Sequence, residues 1–241
     1  MQLLSSSLIT TKHAFSTRDG GVSKPPYNSL NLAYHVGDNK ADVTTNHTIL
    51  AKALGYDAKK VVFMNQIHSN KVTIITTIPQ TMPSCDALIT NKKGIALMVM
   101  GADCAPVLFE DKITQTIAVA HVGRAGALTN IITNVINTMK ENFDSKPHDI
   151  CVCIGPSIKQ CCYEIGEKQI QETQQKGYSF ALQGRMLDID AIIKTQLLQN
   201  NIEENHIEFL EHCTCCENER FFSYRANKTT GRIAGVIILE E

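Results

Sequence analysis

The sequence has almost no excess of charge of either sign. It contains 23 lysine and arginine residues against 24 aspartate and glutamate residues, so its formal net charge is −1. Proteins that bind nucleic acid usually show a basic stripe or cluster, whereas the densest basic groups here are the pairs Lys59-Lys60 and Lys92-Lys93. We therefore expect no nucleic-acid partner.

Long apolar runs are also missing. The longest one, residues 95–100, is far shorter than the roughly 18 residues that span a bilayer. Residues 1–11 lack both the charged segment and the apolar segment of a secretory signal. These absences predict a cytoplasmic protein without membrane contact. Low-complexity segments, internal repeats and a clear linker are absent as well, which favours a single domain over residues 1–241.

Cysteine, by contrast, is abundant. Nine cysteines in a reducing compartment argue for free, buried or metal-bound thiols and against a disulfide framework. Cys151 and Cys153 alternate along a predicted strand, where packing explains them best. The vicinal pair Cys161-Cys162 lies in a predicted loop, and its reactivity depends on the thiol pKa. Cys213-Thr-Cys-Cys216 looks like a metal loop, but no second cysteine or histidine pair stands at zinc-finger spacing, so a structural or accidental cluster is favoured.

Short runs rich in valine and isoleucine alternate with longer helical patterns. Strands are predicted over residues 61–67, 71–77, 87–90, 95–100, 107–110, 116–121, 150–154, 207–211, 221–225 and 233–239. Helices are predicted over residues 42–54, 128–142, 166–176 and 190–199, the last with Asp188 as its cap. Because the strands come mostly in runs, we predict an α/β or α+β fold with a mixed sheet covered by helices.

Three predicted strands end in residues that can bind a metal. Cys104 stands between two apolar strands, His121 ends the next one, and His68 follows an earlier one. One thiolate and two imidazoles suit zinc, and three protein ligands leave a fourth position for water or substrate, which is typical of catalytic sites. A buried structural cysteine and two ordinary histidines explain the same residues, and sequence spacing does not decide between the two interpretations.

Two glycine-rich turns are candidate anion sites. The turn over residues 123–126 follows His121 and precedes a predicted helix, whose N-terminal N–H groups favour an anion. Phe15-Ser-Thr-Arg-Asp-Gly-Gly21 predicts a strand that enters a turn with Arg18 at its tip. A plain hairpin and an anion-binding arginine both fit that second pattern.

Taken together and in order, these segments resemble the purine nucleoside phosphorylase family, also called laccase-domain or multicopper polyphenol oxidase-like proteins. The resemblance covers nearly the whole chain. It is carried by Phe15-Ser-Thr-Arg-Asp-Gly-Gly-Val-Ser23, Tyr27-Asn-Ser-Leu-Asn-Leu32, His35-Val-Gly-Asp38, Gln66-Ile-His68, Asp86-Ala-Leu-Ile-Thr90, Ala102-Asp-Cys-Ala-Pro-Val-Leu108, His121-Val-Gly, Gly155-Pro-Ser-Ile158, Cys162-Tyr-Glu164, Cys213-Thr214, Phe222-Ser-Tyr-Arg225 and Thr230-Gly-Arg232.

The resemblance implies a fold, a cofactor and a set of reactions. It implies a three-layer αβα sandwich with a mixed sheet, and zinc bound by His68, Cys104 and His121. The activities implied are phosphorolysis of adenosine, inosine and methylthioadenosine, and hydrolytic deamination of adenosine. A small-molecule nucleoside and phosphate are the implied partners. Some members are described as copper-dependent phenol oxidases, so copper is the alternative metal, and some are linked to peptidoglycan editing.

The sequence departs from the family pattern beside the second histidine ligand. The usual stretch there is Ala-Gly-Trp-Arg-Gly, whereas this chain has Val122-Gly-Arg-Ala-Gly126, with Arg124 at the tryptophan position and Ala125 at the arginine position. Gly101 stands where threonine is usual, and Ala226 replaces a second arginine. If the lost arginines bind phosphate, phosphorolysis is the activity most affected, unless Arg124 supplies the charge from one residue away.

Each implied reaction predicts roles for particular residues. In deamination, Asp103 beside Cys104 would pass the proton to the leaving ammonia, unless it points away and is structural; Glu164 is the second candidate acid. In phosphorolysis, Arg18 and the turn at residues 123–126 would hold the phosphate, with Arg124 nearby. Asn31 would bind the sugar or orient a ligand histidine.

Other functions compete with these two. A cysteine hydrolase or deamidase would use Cys104 as nucleophile and His121 as base, and a tightly bound zinc ion would exclude it. Copper-dependent phenol oxidation is the least favoured, because laccase chemistry uses several coppers on many histidines and the eight histidines here form no His-x-His pair. A binding role without turnover is the remaining alternative, and the oligomeric state is left open.

Overall fold

The computed structural model describes residues 1–240. Strands β1 to β13 within this range are Leu3–Leu4, Lys12–Ser16, Val61–Val62, Val72–Ile74, Ala87–Thr90, Ala96–Gly101, Ala105–Asp111, Thr116–Val122, Ile150–Ile154, Leu182–Gln183, Met186–Leu187, Ile207–Phe209 and Ile233–Ile238. Helices α1 to α5 are Lys40–Leu54, Arg124–Leu128, Ile131–Phe143, Glu167–Gln175 and Ile189–Gln199.

The strands form two large mixed sheets and one small hairpin. The first sheet has the order β1-β2-β13-β6-β3, and the second has the order β12-β9-β7-β8-β5-β4. Most neighbours are antiparallel, but β3 runs parallel to β6, β4 to β5, and β12 to β9. The hairpin consists of β10 and β11.

The two large sheets stack face to face. Along β6, Leu97 and Val99 enter the apolar core shared with Val119 of β8, whereas Met98 and its neighbours on the other face pack against Leu50 of α1. The outer face of the second sheet is covered by α3 and α5. This arrangement confirms the predicted αβα sandwich, with a β layer that consists of two stacked mixed sheets.

Burial on both faces explains the sequence of the central strands. All residues of β6, β7 and β8 are buried, so these strands read as continuous apolar runs instead of alternating ones. A continuous apolar run indicates that both faces of a strand are covered, but it does not indicate whether a helix or another sheet covers them. The stacking of two sheets could therefore not be predicted from the sequence.

Several predicted elements are shorter in the structure. The strand predicted over residues 61–67 ends after Val62, because the side chain of Gln66 takes the place of a strand neighbour and bonds both backbone groups of Met100. The strand predicted over residues 221–225 is wrong. Its backbone does not pair with a neighbouring strand. The Phe221 N–H donates to the Glu217 carbonyl in a local turn, and the Arg225 N–H donates to the Asp103 carboxylate.

The helix predicted over residues 128–142 is divided in two. Asn130 adopts a left-handed conformation, with φ of 62°, between α2 and α3. The predicted apolar face of α3 is confirmed, and its five core residues are buried. The Asp188 cap is also confirmed, because its side chain accepts the Ala191 N–H. Of the described helices, none is long and apolar enough to cross a membrane.

Candidate active site

Three separate segments bring His68, Cys104 and His121 together. His121 lies near the end of β8, opposite Pro106 of the antiparallel strand β7. Cys104 comes just before β7, and His68 lies in the loop that follows β3. Their ligand atoms all lie within 4.8 Å of one another. The sandwich therefore gathers the trio that sequence spacing alone left undecided.

Close approach of the trio depends on a glycine. A Cβ atom at Gly123 would lie 2.8 Å from the Cys104 Sγ and 3.3 Å from the His68 Cδ2. The Cys104 Sγ is 4.0 Å from the His68 Nε2, and the rings of His68 and His121 meet edge-on with centroids 4.8 Å apart. One thiolate and two imidazoles that converge in this way fit a single zinc or copper ion.

Asp86 holds the ring of His121 and the backbone of His68 by hydrogen bonds. Its buried carboxylate accepts the His121 Nδ1 at 2.9 Å and the His68 backbone N–H at 3.0 Å. The backbone N–H and the hydroxyl of Ser69 donate to its other oxygen. A carboxylate on one ring nitrogen leaves the other nitrogen to face a metal, as in many metal sites. Sequence reasoning quoted Asp86 within a motif but gave it no role.

The electrostatics of the trio favour charged forms in the metal-free protein. Burial alone would raise the pKa of the Asp86 carboxyl, but hydrogen bonds from His121 and Ser69 lower it to about 2. Burial also opposes charge on the other two groups. The nearby His121 and His68 nevertheless lower the pKa of Cys104 to about 6, and Cys104 and Asp86 raise the pKa of His121 to about 9. The metal-free pair is thus a thiolate and an imidazolium at neutral pH.

A cleft of about 410 Å³ opens over the trio. Cationic side chains are prominent among its lining residues, which include Arg124, Arg225, Lys228 and Arg232. Of the described lining residues, Asp103 is the only carboxylate. A cleft lined mainly by one sign of charge concentrates ligands of the opposite sign. The cleft is therefore suited to an anion although the chain as a whole is close to neutral.

Asp103 uses its carboxylate as an anchor. It accepts the Thr214 hydroxyl at 2.8 Å, the Ser223 hydroxyl at 2.7 Å and the Arg225 N–H at 2.6 Å. Its backbone has a φ of 99°, which is unusual for a residue with a side chain. The structure brings Asp103 to the cleft wall and ties it to the segment that carries Arg225. Its catalytic role stays a prediction, and the structural alternative fits these contacts.

Arg18 and Asn31 lie outside the cleft lining. The Arg18 guanidinium donates to the carbonyl oxygens of Asn28 and Asn218 and stacks over the ring of Phe222. The side-chain oxygen of the buried Asn31 accepts N–H groups of Ala33 and Arg232, and its NH₂ donates to Asp38. These hydrogen bonds engage both side chains in holding loops. The phosphate-binding role of Arg18 and the role of Asn31 in binding the sugar or orienting a ligand histidine stay predictions.

Arg124 lies in the wall of the cleft, whereas Glu164 lies outside it. Arg124 lines the cleft, and its Nη1 lies 2.5 Å from the Glu172 Oε2 of α4. Glu164 is exposed, pairs with Arg185 and does not line the cleft. The glycine-rich turn expected at residues 123–126 is the start of the short helix α2.

Three cationic residues of the cleft were missed by sequence reasoning. Arg225, Lys228 and Arg232 all follow the Phe221-Phe222 pair, in a segment that was predicted to begin with a strand. The signal was present in the quoted motifs Phe222-Ser-Tyr-Arg225 and Thr230-Gly-Arg232. A strand assignment hid it, because alternate strand residues point away from each other.

Comparison with known proteins agrees with this geometry. The family described as multi-copper polyphenol oxidoreductase laccase matches residues 12–240. A purine nucleoside phosphorylase from Corynebacterium glutamicum is 40% identical over 235 residues, which cover 95% of this chain and 94% of the relative. Purine nucleoside phosphorylase YfiH from Escherichia coli is 36% identical over 230 residues, which cover 93% and 92%.

Solved structures share the fold. YlmD from Geobacillus stearothermophilus superposes with a TM-score of 0.86 at 29% identity, over 95% of this chain and 92% of that chain. A hypothetical protein YfiH from Bacillus licheniformis gives a TM-score of 0.90 at 29% identity, over the same shares of the two chains. Since sequence and fold agree over nearly the full length, the chain belongs to the multi-copper polyphenol oxidoreductase laccase family, several of whose members are named purine nucleoside phosphorylases.

Proposed function

We propose that the protein is a zinc-dependent purine nucleoside phosphorylase that binds a nucleoside and phosphate in the cleft. The observation that carries the proposal is the convergence of cationic side chains on a thiolate and two imidazoles. Phosphate is an anion that such a surface can bind, and relatives that align with 93% and 95% of this chain bear this enzyme's name. Adenosine, inosine and methylthioadenosine are the substrates proposed.

Zinc is the metal that we propose for the donor set of His68, Cys104 and His121. Thiolate and imidazole are both ligands that zinc accepts, three of them leave a fourth position open, and Asp86 supplies the outer carboxylate that often accompanies a ligand histidine. Bound there, zinc would supply a Lewis acid at the floor of the cleft. Multicopper oxidation requires several ions on many imidazoles. The other candidate cluster among the described residues contains cysteines alone, so we do not propose that chemistry.

The proposed reaction gives residues of the cleft roles in binding phosphate and the purine. Phosphorolysis forms a bond between a phosphate oxygen and C1′ of the ribose, while the bond between C1′ and the purine breaks and the purine leaves with its electron pair and takes a proton. Arg232 and Lys228 would hold the phosphate by charge-assisted hydrogen bonds. The aromatic rings of Tyr163 and Tyr224, which also line the cleft, offer surfaces for the purine.

Deamination of adenosine is the second candidate for the same cleft. It needs a carboxylic acid that passes a proton to the leaving ammonia. Asp103 is the carboxylate at hand, but its oxygens already accept hydrogen bonds from Thr214, Ser223 and the Arg225 backbone. We therefore propose Asp103 as a positioning residue and phosphorolysis as the principal reaction.

The test is an assay of the zinc-loaded protein with inosine, adenosine and methylthioadenosine, with and without phosphate. We expect release of the free base and of the sugar 1-phosphate (ribose 1-phosphate, or 5-methylthioribose 1-phosphate from methylthioadenosine) that depends on phosphate and is lost in Cys104→Ala. Arg185→Gln, which removes an exposed arginine outside the cleft, is the control and should keep full activity. Ammonia release without phosphate would instead support deamination. Activity of the metal-free protein that is blocked by alkylation of Cys104 would support the cysteine hydrolase.

A further inference from the structure

A second cluster of cysteines lies outside the proposed active site. Cys161 and Cys162 lie in the turn that follows β9, and Cys213 and Cys216 lie in the turn that follows β12. Since β9 and β12 are parallel neighbours in the second sheet, the segments that leave their carboxyl ends emerge side by side. The fold thus joins two cysteine pairs that are about fifty residues apart in sequence, with Cys161 and Cys213 separated by 52 residues.

The four sulfur atoms form a compact group. The Cys161 Sγ lies 3.8 Å from that of Cys162, 3.7 Å from that of Cys213 and 3.6 Å from that of Cys216. The Sγ atoms of Cys162 and Cys216 are 3.3 Å apart, and all four lie within 4.8 Å of one another. A tetrahedral zinc ion with bonds of about 2.3 Å to sulfur places its ligands about 3.8 Å apart. The cluster therefore has nearly the dimensions of such a site.

The distances do not single out disulfide pairs. Cys161 is almost equally far from three other sulfurs, whereas a disulfide joins one pair at about 2.0 Å and leaves the others apart. An arrangement in which each sulfur faces the same central point is what a shared ion requires. The cluster also keeps one buried and three accessible positions, so an ion can enter from solvent.

The Cys213-Thr-Cys-Cys216 turn is shaped to hold a thiolate. The backbone N–H of Lys159 lies 3.5 Å from the Cys213 Sγ. Backbone N–H groups aimed at a sulfur favour its charged form. The spacing of two residues between Cys213 and Cys216 is also that of the cysteine pairs in structural zinc sites.

We propose that Cys161, Cys162, Cys213 and Cys216 bind a second zinc ion in a closed, tetrahedral and structural site. Four protein ligands leave no position for substrate, which distinguishes this site from the trio in the cleft. The two sites share no ligand, so this proposal stands independently of the proposed enzymatic function. The guanidinium of Arg225, which donates to the Cys162 carbonyl at 2.6 Å, places positive charge beside the four thiolates.

An ion at this position would hold together two turns that lie next to the cleft. It would join the turn at residues 160–162 to the turn at residues 213–216. The segment before the first turn is already linked to the second turn by the backbone bridge between Ser157 and Cys213. The second turn carries Thr214, whose hydroxyl donates to Asp103. The first turn precedes Tyr163, which lines the cleft. Metal binding would therefore restrict two loops that shape the substrate site.

Metal counting tests the proposal directly. In protein purified without chelator and analysed by mass spectrometry, the Cys104→Ala variant should retain about one zinc ion per chain. Adding Cys161→Ser and Cys216→Ser to that variant should remove this ion. Adding Cys215→Ser instead is the matched control, because Cys215 lies in the same turn but outside the four-sulfur group, and it should leave the ion in place.

A spectroscopic measurement covers the case in which the triple variant fails to fold. Cobalt loaded into Cys104→Ala should give the intense thiolate-to-metal charge-transfer band and the visible bands of a tetrahedral sulfur site. Those bands should persist in the variant that also carries Cys215→Ser. Retention of zinc after loss of Cys161 and Cys216 would overturn the proposal. So would a metal-free Cys104→Ala protein in which peptide mapping finds a disulfide between Cys162 and Cys216.

Discussion

At the scale of the residue, Asp86 shows how one side chain can organise a candidate metal site without belonging to its ligand set. Its two oxygens accept hydrogen bonds from the His121 ring, from the backbone N–H of His68, and from the backbone N–H and hydroxyl of Ser69. Burial strengthens each of these hydrogen bonds, because the carboxylate lies in a medium of low dielectric constant and is shielded from water. The orientation of the His121 imidazole and the position of the His68 backbone therefore depend on a residue that the ligand pattern alone does not reveal.

Replacing Asp86 tests this dependence. Asp86→Asn keeps the size of the side chain but cannot accept the His121 Nδ1–H and the two N–H groups with both oxygens. We expect zinc affinity to fall by about 10- to 100-fold, the usual cost of losing an outer carboxylate. Competition with a chelator of known affinity measures the change. Asp144→Asn, at an exposed position that asparagine tolerates equally well, should leave the affinity as it is; equal affinities in the two variants would contradict the role of Asp86.

In the metal-free protein, the rate at which Cys104 is alkylated should depend on pH. Only the thiolate attacks iodoacetamide, and the neighbouring histidines lower the pKa of Cys104 to about 6. Its alkylation rate should rise through about pH 6 and then level off, because the thiolate is the charged form above that pH. In His121→Gln the rise should move to higher pH, since the imidazolium that stabilises the thiolate is gone. Zinc should protect Cys104 in the natural chain, and a natural chain that reacts only above pH 8 would contradict the proposed pair.

At the scale of the element, the turns do more than the strands to build the cleft. The turn between β6 and β7 carries Asp103 and Cys104, and the segment after β12 carries the donors to Asp103 and the cationic Arg225. Sequence reasoning found the buried strands because their apolar runs are unmistakable. It missed the turn at residues 221–225, because Phe221 and Phe222 are as buried as strand residues and only their hydrogen-bond partners differ.

Asp103 offers a test of turn architecture against catalysis. Asp103→Asn replaces one acceptor oxygen by an NH₂ group that faces donors from Thr214, Ser223 and Arg225. We expect the free energy of unfolding to fall by about 1 to 3 kcal/mol, the cost of leaving buried donors unsatisfied. Urea denaturation gives this value, and steady-state kinetics should show a raised KM with a smaller change in kcat. Unchanged stability with kcat lost would restore Asp103 as the proton-transferring acid.

At the scale of the whole molecule, the cleft is cationic although the chain as a whole is nearly neutral. The chain carries a formal charge of −1, yet Arg124, Arg225, Lys228 and Arg232 meet at one cleft. No window of the sequence shows this concentration, because the four residues reach the cleft from two segments separated by about a hundred residues of chain. The mixed α/β class and the helix faces could be predicted from local patterns, and the αβα sandwich and the metal trio from the family resemblance. The cleft could not, since it arises from how those elements are assembled.

Phosphate binding should respond to this charge. Removing one cation by Lys228→Gln or Arg232→Gln should raise the KM for phosphate by about tenfold, since a charge-assisted hydrogen bond is worth about 1.4 kcal/mol or more. Added salt should raise the same KM in the natural chain by screening. Lys140→Gln, on the exposed side of α3, is the control and should behave like the natural chain. A KM for phosphate that is indifferent to both substitutions would contradict the assignment of these cations.

The order of strands in the first sheet has a consequence for synthesis of the protein. Strand β13 follows all the other described strands in sequence but occupies the middle of that sheet, where it pairs with both β2 and β6. A nascent chain on the ribosome therefore exposes one open edge on β2 and another on β6 until residues 233–238 emerge. Unpaired edges of this kind recruit other strands, so a stalled or truncated translation product should aggregate, and the cleft beside Arg232 is completed only as that last strand docks.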